Sequence, residues 1–259
     1  HAALEARTED LQRSNSELEQ FAYVASHDLQ EPLRKVASFS QLLQRRYAGQ
    51  LDERADQYIA FAVDGAKRMQ ILINDLLAFS RVGRMVREHV EVEAGELVAQ
   101  AVANLSLAVE EAGAEVTVDE LPRVSGDVSL LTAVFQNLIG NAIKFRGAGP
   151  PRVRVGVRDA GAEWEFSVAD NGIGIEPEYA ERIFVIFQRL HPKEAYPGTG
   201  IGLALCRKIV DYHGGRIWLD AEASPGTTFR FTLPKPEPAE HAGAGDPIAT
   251  TTEEPESAG

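Results

Sequence analysis

Residues 135–145 read Phe135-Gln136-Asn137-Leu138-Ile139-Gly140-Asn141-Ala142-Ile143-Lys144-Phe145, and this stretch decides how the second half of the chain is built. Asn137, Asn141 and Lys144 stand at i, i+4 and i+7, so on a helix they line one face. Leu130, Val134, Leu138, Ala142 and Phe145 make a separate apolar stripe, which predicts a helix over 127–145 lying on a sheet with Asp127 as its N-cap. Two amide oxygens and an ammonium in one row suit a triphosphate that carries a hard metal. An amide oxygen can ligate Mg²⁺, and lysine neutralises phosphate as a point charge. The same row also fits a helix whose wet face does nothing more.

Two glycine-rich segments downstream bear on that choice. Asp170-Asn171-Gly172-Ile173-Gly174 directly follows a strand expected over 164–169. An aspartate at a strand end can accept a hydrogen bond from an exocyclic amine such as that of adenine, and glycines behind it let the backbone pass close to a flat base. An ordinary Asp-Gly turn is the alternative. Gly198-Thr199-Gly200-Ile201-Gly202-Leu203 runs into a helix expected over 201–213, whose free amides suit anionic oxygens. The segment lacks the Gly-Lys-Ser/Thr of a P-loop and does not follow the first strand of a Rossmann unit. Between the two lie Phe184, Phe187, Arg189 and the turn-rich run 190–197, which read as a mobile lid with an aromatic hinge; the two phenylalanines also fit a plain core.

Strands are expected at 90–92, 116–118, 152–158, 216–220 and 227–233, and a further helix over 94–111. Gly214-Gly215 ends the last helix. These elements describe a mixed sheet with helices packed on one side.

Residues 1–88 read as almost continuous helix. Leu4, Leu11, Leu18 and Ala25 recur every seven residues, the spacing that keeps a seam against a partner helix in a left-handed coiled coil. A long surface helix is the simpler reading, because polar residues fill the second seam position until Phe21. Pro32 is expected to kink the helix, and Gly49 to stop it. A second helix over 52–87 carries Ile59, Ala62, Ala66, Met69, Ile73, Leu76 and Ser80 on one face. Two such helices form an antiparallel hairpin with too little core to stand alone, so a four-helix bundle of two chains is expected. On this hairpin lies Ser26-His27-Asp28. A neutral imidazole can attack through one ring nitrogen while the neighbouring carboxylate holds the proton on the other; an ordinary solvated histidine is the alternative.

The net charge of −13 argues against a nucleic-acid surface, which needs clustered cations. The single cysteine, Cys206, excludes an internal disulfide and a cysteine-built zinc site and points to a reducing, cytoplasmic setting. No apolar run approaches the ~18 residues that a membrane helix needs. The chain begins at His1 without a signal peptide and reads as a piece of a longer protein, which leaves room for a membrane anchor upstream. Residues 235–259 are acidic, rich in Pro, Ala and Gly, and without aromatic residues, and are expected to be disordered.

In their order these segments resemble a sensor histidine kinase of two-component signalling. SHDLQEPLRK is similar to the H box of that family, FQNLIGNAIKF to its N box, DNGIGI to its G1 box, IFVIFQRLH to its F box and GTGIGLAL to its G2 box. GTTFRFTLP is similar to the last strand. SHDLQEPL together with IFQRLH and YPGTGIGLAL looks most like the branch of phytochromes and other PAS- or GAF-linked sensors. The resemblance covers roughly residues 10–234 and implies a two-domain α+β chain. Residues 1–20 would be a coiled-coil signal helix, 21–88 a dimerisation and phosphoacceptor hairpin, 89–234 an α/β sandwich of the Bergerat type that binds ATP, and 235–259 a tail.

By the same resemblance His27 is the phosphoacceptor, Asp28 its base, and Arg189 a stabiliser of charge on the transferred group. Asp170 grips the adenine amine, with Thr227 reaching it through water. Asn141 ligates Mg²⁺, and Asn137 and Lys144 hold phosphates. Gly172 and Gly174 border the base, while Gly198, Thr199, Gly200, Gly202 and Leu203 form the closing loop. The partners implied are a second copy, a separate response regulator and an upstream sensor domain that shifts the Leu4-Leu11-Leu18 seam, with Pro32 turning that shift into bending beside His27. Where kinases that also dephosphorylate their regulator usually carry Thr or Asn, four residues after the histidine, this chain has Glu31, an acceptor-only carboxylate, so weak phosphatase activity is expected. A non-kinase ATPase of the same superfamily and a silent ATP-binding scaffold are the other two classes left open.

Overall fold

The computed structural model describes residues 2–83, 89–192, 196, 198–221 and 225–236, without the side chains of 2–19, 21 and 22. The expected tail beyond 236, the seam of Leu4, Leu11 and Leu18, and the last turn of the second helix beyond 83 lie outside what is described.

Helix α1 (Ala2–Tyr47) runs through Pro32, whose missing N–H deprives the Asp28 carbonyl of its helical donor. It turns at Gly49, in the left-handed region with φ +70, into α2 (Glu53–Arg81). Asp52 caps α2 by accepting from the Ala55 amide at 2.8 Å. Gln30 Nε2 donates to Asn74 Oδ1 at 3.0 Å and fixes the register of the pair. The shared core is small: Leu33, Ala37 and Ala66, with Ile73 against them. The buried face of α2 is Val63, Ala66, Leu77 and Ser80, and Met69, expected on that face, is exposed instead. Phe39, Tyr58 and Phe61 are also each about two-thirds exposed.

The second domain opens with β1 (Val90–Glu93), α3 (Ala94–Asn104), α4 (Ser106–Ala112), β2 (Glu115–Val118), β3 (Arg123–Gly126) and α5 (Val128–Lys144). It continues with β4 (Arg152–Ala160), β5 (Glu163–Asp170), single 3₁₀ turns at Pro177–Tyr179 and Arg182–Phe184, α6 (Gly202–Tyr212), β6 (Ile217–Leu219) and β7 (Thr228–Pro234). Five strands form a mixed sheet in the order β2-β4-β5-β7-β6, parallel only between β2 and β4. β1 and β3 pair separately and antiparallel. Two features differ from the expected elements. The helix over 94–111 is broken at Leu105, whose N–H is shared between the carbonyls of Ala101 and Val102. Strand β3 is additional, a four-residue segment between Pro122 and the Asp127 cap that exists by pairing with β1.

Helices α5 and α6 lie on one face of the sheet. Phe135 of α5 meets Phe166 and Phe231 edge-on with ring centroids 5.9 and 5.5 Å away, and those two rings stack at 5.1 Å. The buried side of α5 is wider than the expected stripe: Leu131, Phe135, Ile139 and Ile143 join Val134, Leu138 and Ala142, because other helices flank it as well as the sheet. Across the opposite face Arg158 and Arg230 bracket the buried Glu165 carboxylate at 2.8 and 3.1 Å.

α5 is anchored at its start. Asp127 accepts from the amides of Ser129 and Leu130 at 2.8 and 3.1 Å, and its own N–H donates to His213 Nε2 at 3.0 Å. His213 Nδ1 lies 2.7 Å from the Ile209 carbonyl, so the ring is a neutral tautomer that donates from Nδ1 and accepts at Nε2. Burial pushes the His213 pKa down, with the nearby His89 ring, stacked at 5.0 Å, adding to the effect. A histidine depressed in the folded state contributes stability above its unfolded pKa and loses it as pH falls through the folded one. Stability to denaturant is therefore expected to be level above about pH 7 and to decline below about pH 6.5. His213→Gln, measured across pH 8 to 5, is expected to start less stable and to show a shallower decline.

Candidate functional site

One cavity gathers residues from separate stretches of sequence, among them α5, the loop after β5, the loop before α6, and Thr227 at the foot of β7. Its organising group is Asp170. Asp170 Oδ1 accepts from the amides of Gly172 at 2.7 Å and Thr227 at 3.0 Å, which leaves Oδ2 for a donor brought by a ligand. The Asp170 N–H in turn donates to the Thr227 carbonyl at 2.8 Å, and the Ile173 N–H to the Phe145 carbonyl at 3.0 Å. The loop is thereby tied to β7 on one side and to the end of α5 on the other. Burial pushes the Asp170 carboxyl up, and the two amide bonds oppose that rise. Asn171 clamps the start of β4, accepting from the Arg152 amide at 2.8 Å and donating to the Pro150 carbonyl at 3.1 Å.

The polar row of α5 forms the facing wall. Asn137, Asn141 and Lys144 are all half-buried there. Asn137 Nδ2 donates to the Ala133 carbonyl at 2.8 Å, and its oxygen is turned toward Gly202, where a Cβ would sit 2.5 Å from it. Lys144 Nζ lies 4.1 Å from the Phe145 ring centroid. Burial, reinforced by the charge of Arg189, holds the Lys144 ammonium below its usual range. Arg189 is fixed by donating to the Tyr196 carbonyl at 2.5 Å. Two cations at one end of a pocket, with no carboxylate bonded to either among the described residues, make a corner suited to an anion.

Gly198, Thr199, Gly200, Gly202 and Leu203 line the rim. Phe187, with φ 65 and largely exposed, donates its N–H to the Gly200 carbonyl at 3.0 Å and fastens the rim to the segment carrying Arg189. Phe184 is buried core, whereas Phe187 is not. Of the run 190–197, Leu190, His191 and Tyr196 line the cavity, and 193–195 and 197 lie outside the described residues. Gly174 and Thr227 line the Asp170 end; Gly172 does not, and acts by its amide.

His27 and Asp28 are elsewhere, on the exposed side of α1. His27 Nδ1 is 3.2 Å from Asp28 Oδ1, with the two side chains 66% and 73% exposed, so the ring is open to approach from outside. Sequence reasoning missed Gln188 and, less expectedly, Asp75 of α2, which accepts from the Thr199 hydroxyl at 2.6 Å. Nothing in the local pattern marks Asp75: it reads as one more acid on an amphipathic helix.

Residues 17–84 match the His Kinase A (phospho-acceptor) domain family, and residues 126–237 match the family of histidine kinase-, DNA gyrase B- and HSP90-like ATPases. Together the two take in more than half of the chain, and the chain belongs to the histidine kinases. It is 51% identical over 225 residues to cyanobacterial phytochrome A of Nostoc sp., covering 87% of this chain and 29% of that protein. It is 36% identical over 235 residues to the methanogenesis regulatory histidine kinase FilI of Methanothrix harundinacea, covering 90% of this chain and 26% of that one. The chain thus spans less than a third of these curated relatives. Among solved structures it is similar to full-length ShkA in complex with AMPPNP, with TM-score 0.65 and 28% identity over 83% of this chain and 45% of that one. It is also similar to ThkA in complex with the response regulator protein TrrA, with TM-score 0.61 and 25% identity over 90% of this chain and 66% of that chain. No helix among the described residues is long and apolar enough to cross a membrane.

The joint at Asp170 is close-packed around Gly226. This glycine has φ +92, and a Cβ there would overlap the Asp170 carbonyl. Gly226→Ala is expected to cost about 2–4 kcal/mol in denaturant unfolding of the full chain, through strain and overpacking together. Gly161→Ala, at a hairpin turn with φ +82 and open space around it, is expected to cost only about 1–2 kcal/mol.

Proposed function

We propose that this chain transfers the γ-phosphoryl group of ATP to His27 and passes it to an aspartate of a separate response regulator. The observation that carries the reading is the convergence of Asp170, the α5 row and the Lys144–Arg189 corner on one cavity, in a chain whose hairpin exposes an imidazole paired to a carboxylate. In this reading Asp170 Oδ2 accepts from the adenine amine, with Thr227 beside it. The phosphates run toward Lys144, Asn137 and Arg189 under the rim of Gly198 to Leu203. Asn141 suits a hard cation, since its half-buried side chain lines the cavity and makes no hydrogen bond to a described residue; it would hold Mg²⁺, which neutralises phosphate charge.

The His27 proton on Nδ1 is held by Asp28, leaving the Nε2 lone pair as the nucleophile. Nε2 bonds to the γ-phosphorus as the bond to the β-phosphate oxygen breaks. ADP departs, and the Nδ1 proton passes to Asp28 or solvent. Positioning and charge neutralisation carry most of such a transfer. The exposed apolar face of Phe39, Tyr58, Phe61 and Met69 supports pairing with a second copy into a four-helix bundle, and the reaction belongs to the reducing, ATP-rich cytoplasm that suits the single buried thiol of Cys206. An upstream sensor domain would act through the start of α1.

Incubation with γ-labelled ATP and Mg²⁺ is expected to leave acid-labile, base-stable label on the wild type. His27→Gln is expected to remove the label while nucleotide still binds, and Asp170→Asn to remove both. Nucleotide turnover without label on His27 would mark a non-kinase ATPase, and binding without either a silent scaffold.

Glu31 is tied to Arg34 at 2.9 Å and to Lys35 at 3.5 Å, and the Arg34 guanidinium holds its carboxyl below the usual range. An ionised carboxylate cannot donate a proton to orient an attacking water. Dephosphorylation of the phosphorylated regulator by the full chain is therefore expected to stay near the regulator's own rate. A rate more than about tenfold above it that is lost in Glu31→Ala would contradict this.

A further inference from the structure

Asp75 sits on the phosphoacceptor hairpin, yet its half-buried side chain forms part of the cavity wall. Its Oδ2 accepts a hydrogen bond from the Thr199 hydroxyl at 2.6 Å, across 124 residues of sequence. Thr199 stands between Gly198 and Gly200 in the rim assigned above to the phosphates, and a Cβ placed on Gly198 would lie 3.1 Å from Lys144 Nζ. The carboxylate thus reaches the rim at the phosphate end of the cavity. A threonine hydroxyl has a single proton to donate. It can go to Asp75 or to a phosphate oxygen, not to both, and a polyphosphate brought beside a desolvated carboxylate is repelled by it.

We propose that Asp75 is a gate on nucleotide binding: its carboxylate holds the glycine-rich rim through Thr199 in the place of a phosphate oxygen, so that docking of the rim on α2 and binding of the triphosphate oppose each other. Burial pushes the Asp75 carboxyl up, and the hydrogen bond from Thr199 opposes that rise. Neighbouring contacts let the rim release without the two domains parting. Further along α2, Lys208 Nζ lies 4.4 Å from the centroid of the Phe79 ring, and Val82 is buried in the core of the second domain. That end of α2 is a fixed hinge, and Asp75 is the contact that opens. A hairpin residue thereby sets the affinity of the site for its own substrate.

The proposal rests on the ATP-binding reading, and titration calorimetry of the full chain separates the two. Mg-AMPPNP and adenosine are each titrated into the wild type, Asp75→Ala, Asp75→Asn and, as a control, Asp170→Asn. Asp75→Ala is expected to bind Mg-AMPPNP about tenfold more tightly than the wild type, the scale of one hydrogen bond to a charged group. Asp75→Asn is expected to gain less in the same direction, because it loses the charge but keeps an acceptor. Adenosine, having no phosphate, is expected to bind the wild type and both Asp75 variants alike, and Asp170→Asn to lose both ligands. Equal or weaker binding of Mg-AMPPNP by Asp75→Ala overturns the gate, as does an equal gain for adenosine. Absence of binding by the wild type and by Asp75→Ala alike removes the ATP-binding reading and the gate with it.

Discussion

The carboxylate of Asp170 is the joint on which the second domain turns. One of its oxygens is held by two backbone amides, from its own loop and from the foot of β7, and its own backbone returns a bond to that strand. Both bonds use the same oxygen, so the group is oriented without being satisfied. That condition suits recognition: a fixed acceptor with spare lone pairs discriminates by hydrogen bonding better than an apolar wall can by shape. Gly172 and Gly226 permit this packing, since a side chain at either would strike backbone. The cap of α5 at Asp127 and His213 performs the matching task on the opposite wall, setting the row that ends at Lys144.

The hairpin obeys a different economy. Its buried core within one chain is a few small side chains, while large aromatic residues stand exposed. A helix pair of this kind gains stability by covering that face with another like it. The open arrangement around His27 follows the same logic. In the proposed reaction His27 meets first a nucleotide and then an aspartate of another protein, and 66% exposure of the ring leaves it accessible to each in turn. The contact between Asp75 and Thr199 joins these two economies, because it lets the docked state of the catalytic half bear on what its cavity accepts.

Much of this was legible in the sequence. Long alternating strands such as β4, β5 and β7 and the capped, periodic α5 declare themselves locally, and the glycine-rich segments flank them in a fixed order. The cavity residues among them were legible for the same reason: each lies in a short segment whose residue types already suggest nucleotide chemistry. What escaped depends on distant partners. Strand β3 is too short and too flanked by Pro122 and Gly126 to be read alone, and exists by pairing with β1. The break at Leu105 follows from a shared backbone bond with no glycine or proline to announce it. Met69 fits the helical period but falls on the uncovered side, since periodicity gives the stripe and not what covers it. Asp75 is the extreme case, an unremarkable acid until folding brings Thr199 to it.

The central claim is that the cavity delivers a phosphoryl group to Nε2 of His27 while Asp28 orients the ring through Nδ1. The most direct measurement is nuclear magnetic resonance of the full chain labelled with ¹⁵N-histidine, after reaction with Mg-ATP. The account predicts a phosphorus–nitrogen coupling at Nε2 of His27 and none at Nδ1. Phosphorus on Nδ1, or on any residue other than His27, would contradict it.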